Sequence, residues 1–381
     1  MTLLTHAPSR ATPATPAAPA TVTGTGTGPS LRHLGPNWYA VVMGTAIVAN
    51  AGAALPLAVP GLRRACDVAW ALSAVLLVAL LGARSVHWIR HGDHARRQLG
   101  DPRIAPFYGC LSMALLAVGA GTLTVGPDLI GAGAALTADA ALWTAGTLVG
   151  LTAAAGIPYL MVTRHRIAAD GASPVWLLPL VSPMVAAANG PALAVHLPAG
   201  PMPATLLTAC YAMFGMSLLM TLLVLPLVLG RLFHHGPLPL ALTPTLFLVL
   251  GPLGQSTTAV HHLAVAAGTL AVPSAPVLAA FAVLYGVPVM GFALLWLAFA
   301  TAMTVRAVRG GMGFAMTWWA FTFPIGTCVT GAAGLARQTG LAAFGDLAVA
   351  LFAVLVAAVA VAGTRTALGL VRGELLAPPA G

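Results

Sequence analysis

The chain has no lysine, and only eight of its 381 residues are acidic. Charged residues make up 7% of the sequence against 59% hydrophobic, whereas a water-soluble protein carries about 25% charged residues to cover its surface. That shortage excludes an ordinary soluble globule and predicts a polytopic membrane protein. Segments of alternating polarity are also lacking. The apolar runs are continuous, which excludes a β-barrel, whose strands alternate over about ten residues. The four cysteines, Cys66, Cys110, Cys210 and Cys328, stand singly, without metal-ligand spacing or a redox pair. No cofactor or metal is expected of them. No paired carboxylates and no nucleophile–base arrangement are visible, so no catalytic residue is assigned and the chain is not read as an enzyme.

What is present is a series of long apolar stretches. A bilayer core of about 30 Å takes about 20 helical residues, and ten such spans can be placed at roughly 36–57, 65–84, 106–126, 138–161, 175–197, 204–229, 241–268, 277–303, 314–336 and 342–364. Pro36, Pro106, Pro174 and Pro244 stand 70, 68 and 70 residues apart, each opening an odd-numbered span. The expected fold is an all-α membrane protein of ten transmembrane helices, arranged as five repeated helical hairpins around a central pore. Further in, Met43-Gly44, Ser112-Met113, Ser182-Pro183, Gly251-Pro252 and Phe323-Pro324 are read as helix breaks at one membrane depth. Irregular backbone there survives only where protein buries it or water reaches it.

The 17 basic residues are all arginine. Assigning the connections alternately to two faces puts 14 of them on one side and leaves only Arg63, Arg64 and Arg337 on the other, with Asp128, Asp139 and Asp346 nearby. By the positive-inside rule both termini are cytoplasmic. The net charge of +9 then reads as a topology signal and not as a nucleic-acid surface. Residues 1–34, rich in Thr, Ala, Pro and Gly, lack the apolar run of a signal peptide and are read as a disordered cytoplasmic tail. Residues 35–370 form the ten-helix domain, and 371–381 a second cytoplasmic tail.

Helix-breaking and polar residues crowd the odd spans. The even spans look like a straight outer wall and the odd spans an inner ring. Thr45, Asn50, Ser112, Ser182, Asn189, Gln255, Thr322 and Thr327 are therefore expected to line the pore, since such groups facing lipid cost a few kcal/mol each unless paired. The competing reading is that each Ser or Thr satisfies a backbone carbonyl freed by a nearby proline. Amides are harder to satisfy in that way. No charged residue occupies the middle of an odd span, which suits an ion held weakly in transit.

Four segments resemble one family: Gly35-Pro36-Asn37-Trp38-Tyr39-Ala40-Val41-Val42-Met43-Gly44-Thr45, Ala105-Pro106-Phe107-Tyr108-Gly109, Leu178-Pro179-Leu180-Val181-Ser182-Pro183 and Trp318-Trp319-Ala320-Phe321-Thr322-Phe323-Pro324. It is the tellurite-resistance/dicarboxylate transporter family, which includes malate permeases, sulfite efflux pumps and the plant slow anion channels. The resemblance runs from Gly35 to about Arg372. It implies five hairpins around a pore, a homotrimer with one pore per protomer, a plasma-membrane location and a small anion as substrate. It also implies that Phe323 plugs the pore, and a large apolar ring in a polar lumen can obstruct ions by size and by dewetting. Phe314 and Phe321 are read as packing residues.

His261 and His262 have the one side-chain type that titrates near neutral pH unperturbed, so they are assigned possible proton coupling beside a plain interfacial reading. Among substrates, C4-dicarboxylates such as malate stand somewhat ahead of sulfite, nitrate and chloride, although no arginine sits within an odd span to clamp a carboxylate. A haem-bearing redox subunit or an intramembrane enzyme is the alternative, on the strength of the histidines alone.

Overall fold

The structure is a computed structural model that describes residues 31–57, 59–168 and 170–376. The two expected tails fall mainly outside these residues; within them, Leu31–His33 form a single 3-10 turn. Hydrocarbon offers no partner to a backbone N–H or C=O, so apolar runs of this length must satisfy themselves as helix. The described α-helices are α1 Tyr39–Ala54, α2 Leu62–Arg90, α3 Gly92–Gly100, α4 Gly109–Thr124, α5 Pro127–Ile130 and α6 Ala132–Thr163. They continue as α7 Leu177–Ala194, α8 Pro201–His235, α9 Leu250–Thr269, α10 Ala275–Arg309, α11 Phe323–Thr339 and α12 Ala342–Val371.

Every predicted span is helical, and eight segments among the described residues are long and apolar enough to cross a membrane. The other two are α1 and α9. The first has only 16 residues; the second carries Gln255, Ser256, Thr257, Thr258, His261 and His262 in 20. Both are largely buried.

Each of α1, α4, α7, α9 and α11 is preceded by a 3-10 segment, and Pro36, Pro106, Pro174 and Pro244 lie in those segments. Pro36, Pro106 and Pro174 sit in the first turn, where a proline sacrifices no helical hydrogen bond, while Pro244 lies inside its segment Leu240–Val249. A 3-10 coil also rises about 2.0 Å per residue against about 1.5 Å for α-helix, so the lead lengthens an otherwise short helix. The proline period therefore marks helix starts.

Three of the expected interior breaks are not there. The helices α1, α4 and α7 run unbroken through Gly44, Ser112 and Pro183. Of the five expected break positions, a change from 3-10 to α coil falls only beside Gly251-Pro252, at Val249–Leu250, and at Thr322–Phe323. The small residues serve contact between helices instead: a Cβ on Gly44 would fall 2.3 Å from Thr322 Oγ1, and Ser112 Oγ donates to the Gly146 carbonyl at 2.7 Å.

Packing divides the helices into two sets. The helix α1 packs on α4, α4 on α7, α7 on α9, α9 on α11 and α11 back on α1, closing a ring. Outside it, α2, α6, α8, α10 and α12 each pack on the ring helix that precedes them in the chain. These outer helices expose apolar side chains such as Val68, Val75 and Val78 of α2 and Leu219, Leu222 and Leu223 of α8. Such a surface is what a bilayer solvates and water does not.

Both ends of the described chain lie on one face. Leu34, Trp38, Trp319 and Ala362 form one buried cluster, against which Leu375 and Leu376 pack. Arg84, itself buried, donates to the carbonyl of Leu34 at 2.5 Å and to Gln98 Oε1 at 3.0 Å, tying α2 and α3 to that start. On α3, Arg97 meets Asp93 at 2.5 Å and holds its carboxyl below the usual carboxylate range. On the opposite face, Arg63 pairs with Asp128 at 2.6 Å. Asp139, grouped above with the charges of that face, is instead buried inside α6 against Gly119, where a Cβ would fall 2.6 Å from its Oδ1.

Candidate pore

The ring is tight because glycine stands where backbones meet. A Cβ on Gly254 of α9 would lie 2.5 Å from the Thr327 carbonyl carbon and from the Cys328 nitrogen of α11. On the other flank of α11, a Cβ on Gly326 would fall 2.3 Å from Ile47 of α1. Only hydrogen fits at either point, so α9 and α11 approach backbone to backbone, while Gly326 leaves room for the Ile47 side chain between α11 and α1.

Inside the ring are two cavities in series. The first, about 40 Å³, lies among the N-terminal ends of the five ring helices, with Met43, Met113, Val181, Gly251 and Trp319 in its wall. Almost nothing polar reaches it. The second, about 410 Å³, lies among their C-terminal halves. Into it project Asn50 of α1, Asn189 of α7, Gln255 and Thr258 of α9, and Thr330 of α11. Phe323 lines both cavities and is 5% exposed. It is the one lining residue that the two cavities share. Phe321, by contrast, packs against Phe247 with centroids 4.8 Å apart, and Phe314 against Trp318 at 5.7 Å.

The expected lining residues separate into two groups. Asn50, Asn189 and Gln255 reach the large cavity. Thr45, Ser112, Ser182, Thr322 and Thr327 line neither cavity. Each of these hydroxyls donates to a carbonyl: Thr45 to Val41 at 2.8 Å, Ser182 to Gly109 and Leu178 at 3.1 Å each, Thr322 to Trp319 at 2.7 Å and Thr327 to Pro324 at 2.7 Å. Ser112 spends its proton on α6, as described. A hydroxyl can satisfy itself one turn back along its own helix, whereas an amide that donates once still has its oxygen to place; that of Asn50 is buried beside Gly121 with no partner among the described residues.

Two residues outside the expected lining complete the wall. Thr258 and Thr330 share a hydrogen bond of 2.7 Å across α9 and α11. Helical spacing carries them: Gln255, Thr258 and His262 follow at i, i+3 and i+7, and Phe323, Thr330 and Arg337 at intervals of seven, each set on one face. Arg337, read above as a charge of the outer connection, stands in the wall of the large cavity. The large cavity thus has a charged group in its wall, from the last turn of α11.

The histidines take different places. His262 lines the large cavity and an adjoining lateral one of about 500 Å³ between α7, α9 and α11, and its Nδ1 lies 2.7 Å from the Ala188 carbonyl. His261 lines only the lateral cavity, and its Nε2 accepts from Arg337 Nε at 3.4 Å. Arg337 also donates to the Ala54 carbonyl at 2.9 Å. The buried thiols of Cys66, Cys110, Cys210 and Cys328 are free.

Residues 33–367 match the voltage-dependent anion channel family over most of the chain. The chain is 27% identical to the sulfite efflux pump SSU1 of Arthroderma otae over 86% of its own length and 88% of that protein's. It is 26% identical to SSU1 of Trichophyton rubrum, covering 81% and 83%. An uncharacterized transporter of Methanocaldococcus jannaschii is 25% identical over 78% of this chain and 82% of its own. These relatives set aside the haem-subunit and intramembrane-enzyme alternatives. A ring of helices enclosing cavities, apolar outer faces and this match lead to one conclusion: the chain belongs to the voltage-dependent anion channel family, as a multi-pass membrane protein of anion transport and not an enzyme.

Proposed function

We propose that the ring is a pore for small oxyanions, sulfite foremost, closed by Phe323. The observation that carries this reading is that Phe323 stands in the walls of both an almost wholly apolar cavity and one into which amide, hydroxyl, imidazole and guanidinium groups are set among alanines. Anions that enter the large cavity meet amide and hydroxyl groups, and at Phe323 they meet a constriction that water leaves readily. Beyond it, five helix N-termini converge around the small cavity, and their dipoles favour negative charge.

In this reading α1 and α9, lengthened by their 3-10 leads, cross the membrane with the other eight spans, giving ten crossings as five hairpins around the lumen. The arginine-rich face that holds both chain ends is cytoplasmic, in the plasma membrane. The family resemblance adds a homotrimer with a pore in each protomer. Sulfite stands ahead of malate because the curated relatives named for a substrate are sulfite pumps and because a dicarboxylate has no arginine pair to clamp both its ends. His262 is the histidine placed to exchange protons with the lumen.

Purified protein in liposomes, loaded in turn with sulfite, malate, nitrate and chloride, tests this at several imposed voltages. Sulfite flux above malate flux is expected. Absence of flux for every anion would end the pore reading, and malate flux exceeding sulfite flux would reassign the substrate.

A further inference from the structure

Two side chains, Arg337 and His262, stand in the walls of both the large central cavity and the lateral cavity. Their hydrogen bonds fix what each has left to offer. The Ala188 carbonyl is only an acceptor, so His262 Nδ1 at 2.7 Å must carry the proton. In the neutral ring Nε2 is therefore a bare lone pair. That nitrogen has no protein partner among the described residues, and it is not among the buried unsatisfied atoms, so it opens to the cavities the ring lines.

Arg337 is held from two sides, by His261 Nε2 at 3.4 Å and by the Ala54 carbonyl at 2.9 Å. These bonds take Nε and one terminal nitrogen. The second terminal nitrogen has no acceptor among the described residues. His261, having its Nε2 lone pair engaged, must be protonated on Nδ1 and is neutral. The walls of the same two cavities thus offer one fixed cation and one hydrogen-bond acceptor. A fully ionised oxyanion has only acceptor atoms and would meet a lone pair at His262. A halide or nitrate likewise brings no proton.

We infer that this junction is a binding site for the hydrogen form of an oxyanion, such as hydrogensulfite as HO–SO2⁻, with Arg337 taking the charge and His262 Nε2 accepting from the O–H. The site selects acid anions over proton-free ones before they reach Phe323. The inference rests on the pore reading above and adds to it a ligand class and a selecting residue. Protonation of His262 would convert Nε2 from acceptor to donor and abolish that preference. The ionisable groups facing it are His261, with ring centroids 5.6 Å away, and Arg337. From α7 the wall contributes Pro191, Ala192 and Val195, none of which ionises.

The test is sulfite and chloride flux through the full chain in liposomes, at external pH below and above the second ionisation of sulfurous acid. Compared are the wild type, His262→Gln, His262→Phe and Arg337→Gln. The wild type is expected to favour sulfite over chloride in the acidic medium and to lose that preference in the alkaline one. His262→Phe should lower the sulfite-to-chloride ratio in acid by about tenfold, the order expected for one hydrogen bond to a charged ligand, whatever the added ring does to the two fluxes together. His262→Gln, whose amide oxygen can accept in place of Nε2, should keep most of the ratio. Arg337→Gln should reduce both fluxes. An unchanged ratio in His262→Phe with chloride flux intact overturns the selective site while leaving the pore standing. If His262→Phe does not assemble, the absence of any wild-type preference for sulfite in acid overturns it equally. No anion flux in any of the four proteins overturns the pore and the site together.

Discussion

Asn50 and Asn189 grip adjacent residues of one helix from its two neighbours: Asn50 Nδ2 donates to the Ala117 carbonyl at 2.9 Å and Asn189 Nδ2 to the Leu116 carbonyl at 3.0 Å. The two amides thereby fasten α1 and α7 to α4. Both also stand in the wall of the large cavity. This pair of side chains joins three of the five ring helices and lines what the ring encloses, as Thr258 and Thr330 do between α9 and α11.

Replacing Phe323 tests the partition. Phe323→Ala should merge the two cavities and raise anion flux at least about tenfold, the factor given by a barrier lowered by about 1.4 kcal/mol. Phe323→Leu, still apolar and bulky, should raise it less. Flux in Phe323→Ala equal to that of the wild type, in protein that elutes as a folded species, would remove this ring from the limiting step.

Gly254 tests the backbone approach of α9 to α11. Gly254→Ala puts a methyl 2.5 Å from main-chain atoms that cannot rotate away. Overpacking of this kind costs about 1–3 kcal/mol, so the thermal unfolding midpoint in detergent should fall. Gly251→Ala on the same helix meets nothing within 4 Å and should leave it unmoved. Equal midpoints for the two variants would show that α9 and α11 are less closely apposed than described.

Asn189 and Ser112 separate lining from packing. Asn189→Leu should alter the relative fluxes of different anions, because it changes the wall of the large cavity. Ser112→Ala removes one buried hydrogen bond to the Gly146 carbonyl and should cost about 1 kcal/mol of stability, with relative fluxes unaltered. Changed selectivity in Ser112→Ala would place that hydroxyl on the ion path after all.

Much of this architecture is legible in one dimension. A shortage of charge with long apolar runs can only be a helical membrane protein, since backbone in hydrocarbon has no other way to satisfy itself without closing a barrel. The division into polar, proline-rich odd segments and plainer even ones foretells which helices are buried, because burial from lipid is what tolerates such residues. The four-proline period locates helix starts. Phe323 is singled out by its motif, and the structure then puts it in the walls of two cavities.

What sequence alone cannot decide is where a polar side chain points. Ser112 and Thr258 look alike in a list of polar residues on odd segments, yet one bonds to an outer helix and the other faces a lumen. That outcome depends on the rotation of each helix against its neighbours, set by contacts such as Gly254 on Thr327 and Gly326 on Ile47 between residues some 70 or more positions apart. Arg337 is the sharpest case. Its place near a helix end marks it as a surface charge, and it is exposed; the folding of α9 and α1 beside it, which supplies His261 and the Ala54 carbonyl, sets it in the cavity wall as well. Composition and period determined the membrane class, the helices and their two ranks; the packing of distant segments decided the lumen, because a cavity belongs to no single helix.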